Sequence, residues 1–186
     1  FVFINTLNFQ DGEDLNIAIL LLIIFTIFYF YTENDLTQNI SRVVLLFLIS
    51  FSFFNLKKKN LYFGDSGCYV ASIIILIFAY QEVHNTKLIK LLIAVIIYPI
   101  LDSFYVVVYR VFKKENLLKR NYLHLYQILA QRSKFKIYLL PSIFFSIMNI
   151  FISSYFYLGI NLIIFLVILN IFLLFIIRLL INKLSN

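Results

Sequence analysis

Six apolar runs, each near the length that crosses roughly 30 Å of hydrocarbon, recur along this chain with short polar segments between them. They extend from about Leu15 to Tyr31, Ile40 to Leu56, Cys68 to Gln81, Leu88 to Tyr109, Ile137 to Ser153 and Ile160 to Ile181. A backbone in contact with lipid must satisfy its own hydrogen bonds, and these runs lack the strict alternation of a barrel strand, so each is read as a helix. The predicted fold class is all-α, a polytopic transmembrane helical bundle forming one membrane-embedded domain over residues 1–186. Composition agrees: 62% of residues are hydrophobic, 22 are Phe, and the charged fraction of 13% is about half that of an ordinary globular domain. No separate soluble domain has room to form.

The single cysteine, Cys68, excludes an internal disulfide framework and a thiolate zinc cluster, and is read as a small apolar residue at a helix start. Pro99 and Pro141 are expected to kink or start helices, and Gly159 to mark a tight connection. The third run is short and is expected to tilt little or to be partly broken. The chain opens at Phe1 with residues that read as the tail of one unit entering a loop, so it is expected to be the C-terminal part of a larger protein.

Six crossings sort the polar segments into two sets. Phe1 to Asp14, Lys57 to Gly67, Arg110 to Lys136 and the tail after Arg178 fall on one side. Thr32 to Asn39, Glu82 to Lys87 and Ser154 to Gly159 fall on the other. The first set carries Lys57, Lys58, Lys59, Arg110, Lys113, Lys114, Lys119, Arg120, Arg132, Lys134, Lys136, Arg178 and Lys183, whereas only Arg42, Lys87 and Lys90 lie on or near the second. By the positive-inside rule the first set is cytoplasmic. This distribution, with attraction to anionic headgroups, accounts for the net charge of +7, and nucleic-acid binding is not needed to explain it.

Three polar segments on that side carry chemistry. In Asn5-Thr6-Leu7-Asn8-Phe9-Gln10-Asp11-Gly12-Glu13-Asp14, the residues Asn5, Asn8, Asp11 and Asp14 recur every three positions, which on a helical turn or tight loop directs them to a common side. Hard oxygen donors of this kind suit magnesium, which is commonly held by one or two carboxylates plus substrate phosphates. The plainer reading is that Asp11 and Asp14 cap the helix beginning near Leu15. In Gly64-Asp65-Ser66-Gly67, the glycines allow close backbone approach and Asp65 is a metal-ligand candidate, although the same four residues also make an ordinary turn with a helix N-cap. The long basic segment contains His124, followed by Leu125-Tyr126-Gln127, where an imidazole beside Lys and Arg can hold phosphate or move a proton. His84, on the opposite side, reads as a surface residue.

Asp102 lies inside the fourth run, eight residues before Arg110 and hence about 12 Å from that edge. An unpaired carboxylate there is expensive, so it either faces a polar cavity, stays protonated, or pairs within the bundle; the first is the default expectation.

Taken together and in order, these segments resemble a known family. NTLNFQDGED is similar to the Asn-x-x-Asn-x-x-Asp-Gly-x-Asp motif of the polyprenyl-phosphate N-acetylhexosamine-1-phosphate transferases, the MraY/WecA-type glycosyltransferase family 4. FGDSG resembles their Gly-Asp-x-Gly loop, YPILDSFYVVVYR their Pro-x-x-Asp helix ending in Arg, and HLYQIL their His-containing loop in the His-x-Tyr-Gln version of O-antigen-type members. The likeness runs from Asn5 to about Leu129, and the last two runs agree only in hydropathy.

The resemblance implies a membrane enzyme, N-terminally truncated here, that transfers N-acetylhexosamine-1-phosphate from a UDP-sugar to undecaprenyl phosphate at the inner membrane, with Mg2+ as cofactor and a cytoplasmic site. By motif position it implies Asn8 and Asp65 at the metal, Asn5, Asn8, Asp11 and Asp14 toward the nucleotide-sugar, and Arg110 and His124 toward phosphates, with Asp11, Asp65 and His124 in catalytic roles. The implied partners are UDP-N-acetylhexosamine, undecaprenyl phosphate and the bilayer, with a homodimer suggested by the family. Departures are present. The family's upstream Asp-Asp pair is absent, a Gly usual after the last Asp of the first motif is Leu15, and the residues before His124 include Asn121 and Tyr122. These 186 residues alone are therefore expected to be inactive or incomplete. A polytopic transporter or flippase, or a non-catalytic relative, is the competing reading; a transporter predicts ionisable groups deep in several runs, where only Asp102 qualifies.

Overall fold

The computed structural model describes residues 2–57, 61–116, 122–132, 139–157 and 159–183. Among these residues it forms helices α1 (Val2–Phe9), α2 (Asn16–Tyr31), α3 (Asp35–Lys57), α4 (Gly64–Gln81), α5 (Thr86–Phe112), α6 (Leu125–Arg132), α7 (Leu140–Tyr155) and α8 (Ile160–Lys183). Lys58, Lys59, Lys119, Arg120, Asn121, Lys134, Lys136 and the expected start of the fifth run at Ile137 lie outside the described residues.

The all-α fold class holds, and within the described residues each of the six apolar runs forms a helix. α3, α4, α5 and α8 are long and apolar enough to cross a bilayer, while α2 and α7 are shorter apolar helices. At 16 residues, each of these two covers about 24 Å. The third run departs from expectation: α4 is one unbroken helix that begins at Gly64, so Gly64-Asp65-Ser66-Gly67 is its first turn rather than a loop ahead of it. Two short helices, α1 and α6, lie outside the apolar runs.

Local sequence explains the ends. The Asn34 carboxamide accepts from the amides of Leu36 and Thr37 and caps α3, and Asn85 accepts from Leu88 N and caps α5. Pro141 occupies the first turn of α7, where its missing N–H costs nothing. Pro99 instead lies within α5, which continues through it.

α5 is the hub, packing against α1, α2, α7 and α8. The main core lies where α2, α4 and α5 meet, around Leu21, Ile24, Phe28, Ile75, Phe78, Leu92 and Val95. A second cluster joins α5, α6, α7 and α8 through Tyr98, Leu125, Phe145 and Leu174, with the Tyr98 and Phe145 rings stacked at 4.5 Å. Hydrogen bonds between buried amides bind the bundle further: Asn149 on α7 donates to Ala94 O on α5 at 3.0 Å and exchanges two bonds with Asn170 on α8. The outward faces carry Val43, Leu46, Phe47 and Phe53 on α3 and Phe165, Ile168 and Phe172 on α8, all exposed, as lipid contact requires.

Candidate active site

The first motif straddles the end of α1 and the turn into α2. α1 stops at Phe9, so Asn5 and Asn8 sit on the helix and Asp11 and Asp14 in the following turn. Asp11 is a cap, but for a different helix from the one expected. Its carboxylate accepts from Phe63 N at 3.1 Å and from Gly64 N at 2.6 Å, meeting the positive end of α4. α2 takes no side-chain cap: its N-cap position is Leu15, whose own amide donates to Asn55 Oδ1 at 2.6 Å, and Asp14 is not the N-cap. Asn55 in turn donates to Leu61 O, tying the end of α3 to the α4 entry.

The Asp11 carboxyl is held above its ordinary value chiefly by burial; the two amides pull it down, and neighbouring Asp65 pushes it up. The two acidic motifs are therefore at the same place in the fold. Asp65 itself is exposed in the first turn of α4, and Asn5, Asn8 and Asp14 are half-buried.

The histidine motif joins them. Tyr126, on α6, donates its hydroxyl to Phe9 O at 2.6 Å, across 117 residues of chain. Burial pushes the Tyr126 hydroxyl well above its usual range, so it remains a donor. Gly12 is what allows this approach: a Cβ there would stand 2.3 Å from Tyr126 Oη and 2.8 Å from Gln127 Nε2. The His124 ring lies 5.5 Å from the Phe9 ring and 6.0 Å from that of Tyr126, and its backbone amide donates to Gln127 Oε1. Below the turn, Asn16 donates to Gln10 and accepts from Ser142 Oγ at 2.9 Å, anchoring the motif to α7.

Asp102 corrects the default expectation of a polar cavity. It is fully buried and paired within the bundle: Oδ2 lies 2.9 Å from His124 Nδ1, while Oδ1 accepts from Arg178 Nη2 at 2.6 Å and from Leu125 N at 3.2 Å. Arg178 is the functional candidate that the sequence reading missed, since it counted there only as one more basic residue near the chain's end. It sits on α8, donates from Nη1 to Leu123 O at 3.0 Å, and places its guanidinium 4.0 Å from the Tyr105 ring centre. Arg110 is buried, pairs with Glu115 at 3.5 Å and donates to Asn116 O, following its own helix end.

For a divalent ion, the donors present are oxygen donors of the right kind, with Asp65 exposed and Asn8 half-exposed on packed helices. Among the described residues no group of three or more His, Cys, Asp or Glu could hold a metal. This donor set suits an ion such as magnesium, completed by water and substrate phosphates, and not an all-protein cage.

Fold and site together define a polytopic helical membrane protein in which carboxylates, amides and an imidazole from distant segments meet at one end. Residues 1–83 match the family model described as Glycosyl transferase family 4, so the resemblance holds over the stretch carrying NTLNFQDGED and FGDSG. At this coarse level the match is to a family of phospho-sugar transferases, and the two later motifs lie beyond it. No curated protein and no solved structure matches the chain.

Proposed function

We propose that this protein transfers N-acetylhexosamine-1-phosphate from a UDP-sugar to undecaprenyl phosphate, at the cytoplasmic face of the inner (plasma) membrane, as the first step of a lipid-linked envelope glycan. One observation carries the reading: the Asp11 bonds to Phe63 and Gly64 and the Tyr126 bond to Phe9 draw three motif segments into one neighbourhood, the first two within the family match.

A lipid phosphate oxygen attacks the β-phosphorus of the UDP-sugar, the bond from that phosphorus to the bridging oxygen breaks, and UMP leaves with the bridging oxygen. Both reactants are anions, so the protein's task is largely positioning and charge neutralisation. Asn8 and Asp65 would hold magnesium, which when bound supplies neutralisation of phosphate charge. Asn5 and Asp14 lie on the same segment as Asn8 and would contact the nucleotide-sugar. Asp11 is spent on the α4 amides and shapes the site by holding the first two motifs together. His124 and Arg110 would face phosphate oxygens.

The transporter reading loses ground for a specific reason. Asp102, the ionisable group deep in a run, is fully buried with both carboxylate oxygens paired to His124 and Arg178, and so does not line a path. The test is exchange of radiolabelled UMP into UDP-N-acetylhexosamine by the full-length protein in membranes, with undecaprenyl phosphate and magnesium. Magnesium-dependent exchange supports the transferase; its absence at normal expression contradicts it.

A further inference from the structure

We propose that Asp102 and Arg178 are positioning residues that lock His124 into one tautomer, with the proton on Nδ1 and Nε2 presented to a phosphate oxygen; the identity of that phosphate rests on the transferase reading above. An ionised carboxylate only accepts hydrogen bonds, so the 2.9 Å contact from Asp102 Oδ2 requires Nδ1 to carry hydrogen. Arg178, 2.6 Å from the other oxygen, places an opposite charge against this buried carboxylate. Nε2 has no partner among the described residues, where the ring's hydrogen bond is the one from Nδ1 to Asp102.

The ring has little freedom to escape this arrangement. Phe9 and Tyr126 bracket it, and Arg178 grips both Asp102 and the carbonyl of Leu123, the residue just before His124. α8 is thereby part of the site and not only an anchor in lipid. Asp102 and Arg178 cancel each other's charge, so a proton gained at Nε2 leaves the cluster with one positive charge beside the phosphate. An imidazole aligned by a carboxylate is a general device for fixing which nitrogen does the work.

The experiment reads the tautomer directly. The chain has two histidines, so His84→Gln, made at an exposed position, leaves His124 as the sole imidazole signal. Nitrogen NMR of 15N-histidine-labelled protein in nanodiscs, reading the neutral form of the ring, is expected to find the proton on Nδ1. In Asp102→Asn, Arg178 and Leu125 N both donate to one oxygen and hold the carboxamide oxygen there. The amide NH2 then faces Nδ1 and the proton is expected to move to Nε2. Exchange of UMP by the full-length protein should fall about 10- to 100-fold in kcat with KM for the UDP-sugar little changed, and Arg178→Lys should retain more rate than Arg178→Met.

A proton found on Nε2 in the unsubstituted cluster would overturn the proposal without any need for Asp102→Asn to fold, and an unmoved proton in a folded Asp102→Asn would do the same. Nδ1 protonation in a full-length protein that exchanges no UMP would uphold the positioning role and reject the transferase reading.

Discussion

Asp11 and Gly64, 53 residues apart, are joined by a 2.6 Å hydrogen bond that puts a motif carboxylate on the N-terminus of the helix bearing Asp65. A second bond, from Phe63 N, makes the contact bidentate, and α4 uses it in place of a cap of its own. Asp11→Ala is expected to destabilise the protein by about 1–2 kcal/mol, within the range of lost N-caps. Asp11→Asn, which keeps one acceptor oxygen, should lose less. Denaturant unfolding in mixed micelles, followed by circular dichroism, measures both.

The same carboxylate makes a pH prediction. Its native value is raised above 3.8, so the folded state binds the proton more tightly than the unfolded chain. The stability this contributes is complete below 3.8 and is lost as pH rises through the raised native value. Unfolding measured across that range should find wild type losing stability relative to Asp11→Asn as pH rises. A difference that grows in wild type's favour would show that the two amides outweigh burial.

Gly12→Ala should open the junction between the first and third motifs. The new methyl would overlap the Tyr126 hydroxyl, and overpacking of this kind costs about 1–3 kcal/mol. Tyr126→Phe removes the overlapping oxygen together with its bond to Phe9, so the double variant should be more stable than the sum of the two single losses predicts. Additive losses in a double-mutant cycle would mean that the two residues do not meet.

Leu15 occupies the left-handed region at φ 65°, which disfavours any residue with a Cβ by about 1–2 kcal/mol. It stands where the resembling family has Gly, and the backbone explains that preference. Leu15→Ala and Leu15→Gly both discard the side chain, yet only Gly removes the strain. Leu15→Gly should therefore be the more stable of the two by about 1 kcal/mol, opposite to their order in a helix interior. Thermal unfolding of the pair decides it.

Much of this arrangement is legible in the sequence because hydropathy and motif spacing are local properties. The six apolar runs announce their helices, and an even number of crossings between the acidic motifs already puts them at one end. What escapes are partners far apart in the chain. Asp11 looks like a cap for the helix that follows it, since nothing local shows that Phe63 and Gly64 lie closer. Arg178 reads as one of many basic residues near a membrane edge, because its ion pair with Asp102 spans 76 positions. α6 is hidden inside a basic segment whose polarity masks Leu125 and Tyr126, both of which are buried. Leu15 could have been found: a family position held by Gly is a signal for an unusual backbone angle.

Asp65, exposed at the start of α4, has no bond that a structural role would require among those observed, unlike Asp11. Asp65→Asn should leave stability nearly unchanged while reducing magnesium-dependent UMP exchange by the full-length protein on the order of 100-fold. Full exchange in this variant would remove Asp65 from the metal.

The account stands on the three motif segments sharing one end of the bundle on the cytoplasmic side. Single cysteines at Glu13, Ser66 and Tyr122, and one at His84 as the opposite-side control, introduced into a Cys68→Ala background, can be treated with a membrane-impermeant maleimide in right-side-out and inverted vesicles. The first three should react only in inverted vesicles and the His84 position only in right-side-out ones. Labelling of the Glu13 and Ser66 positions from opposite sides would contradict the shared site and, with it, the proposed transferase.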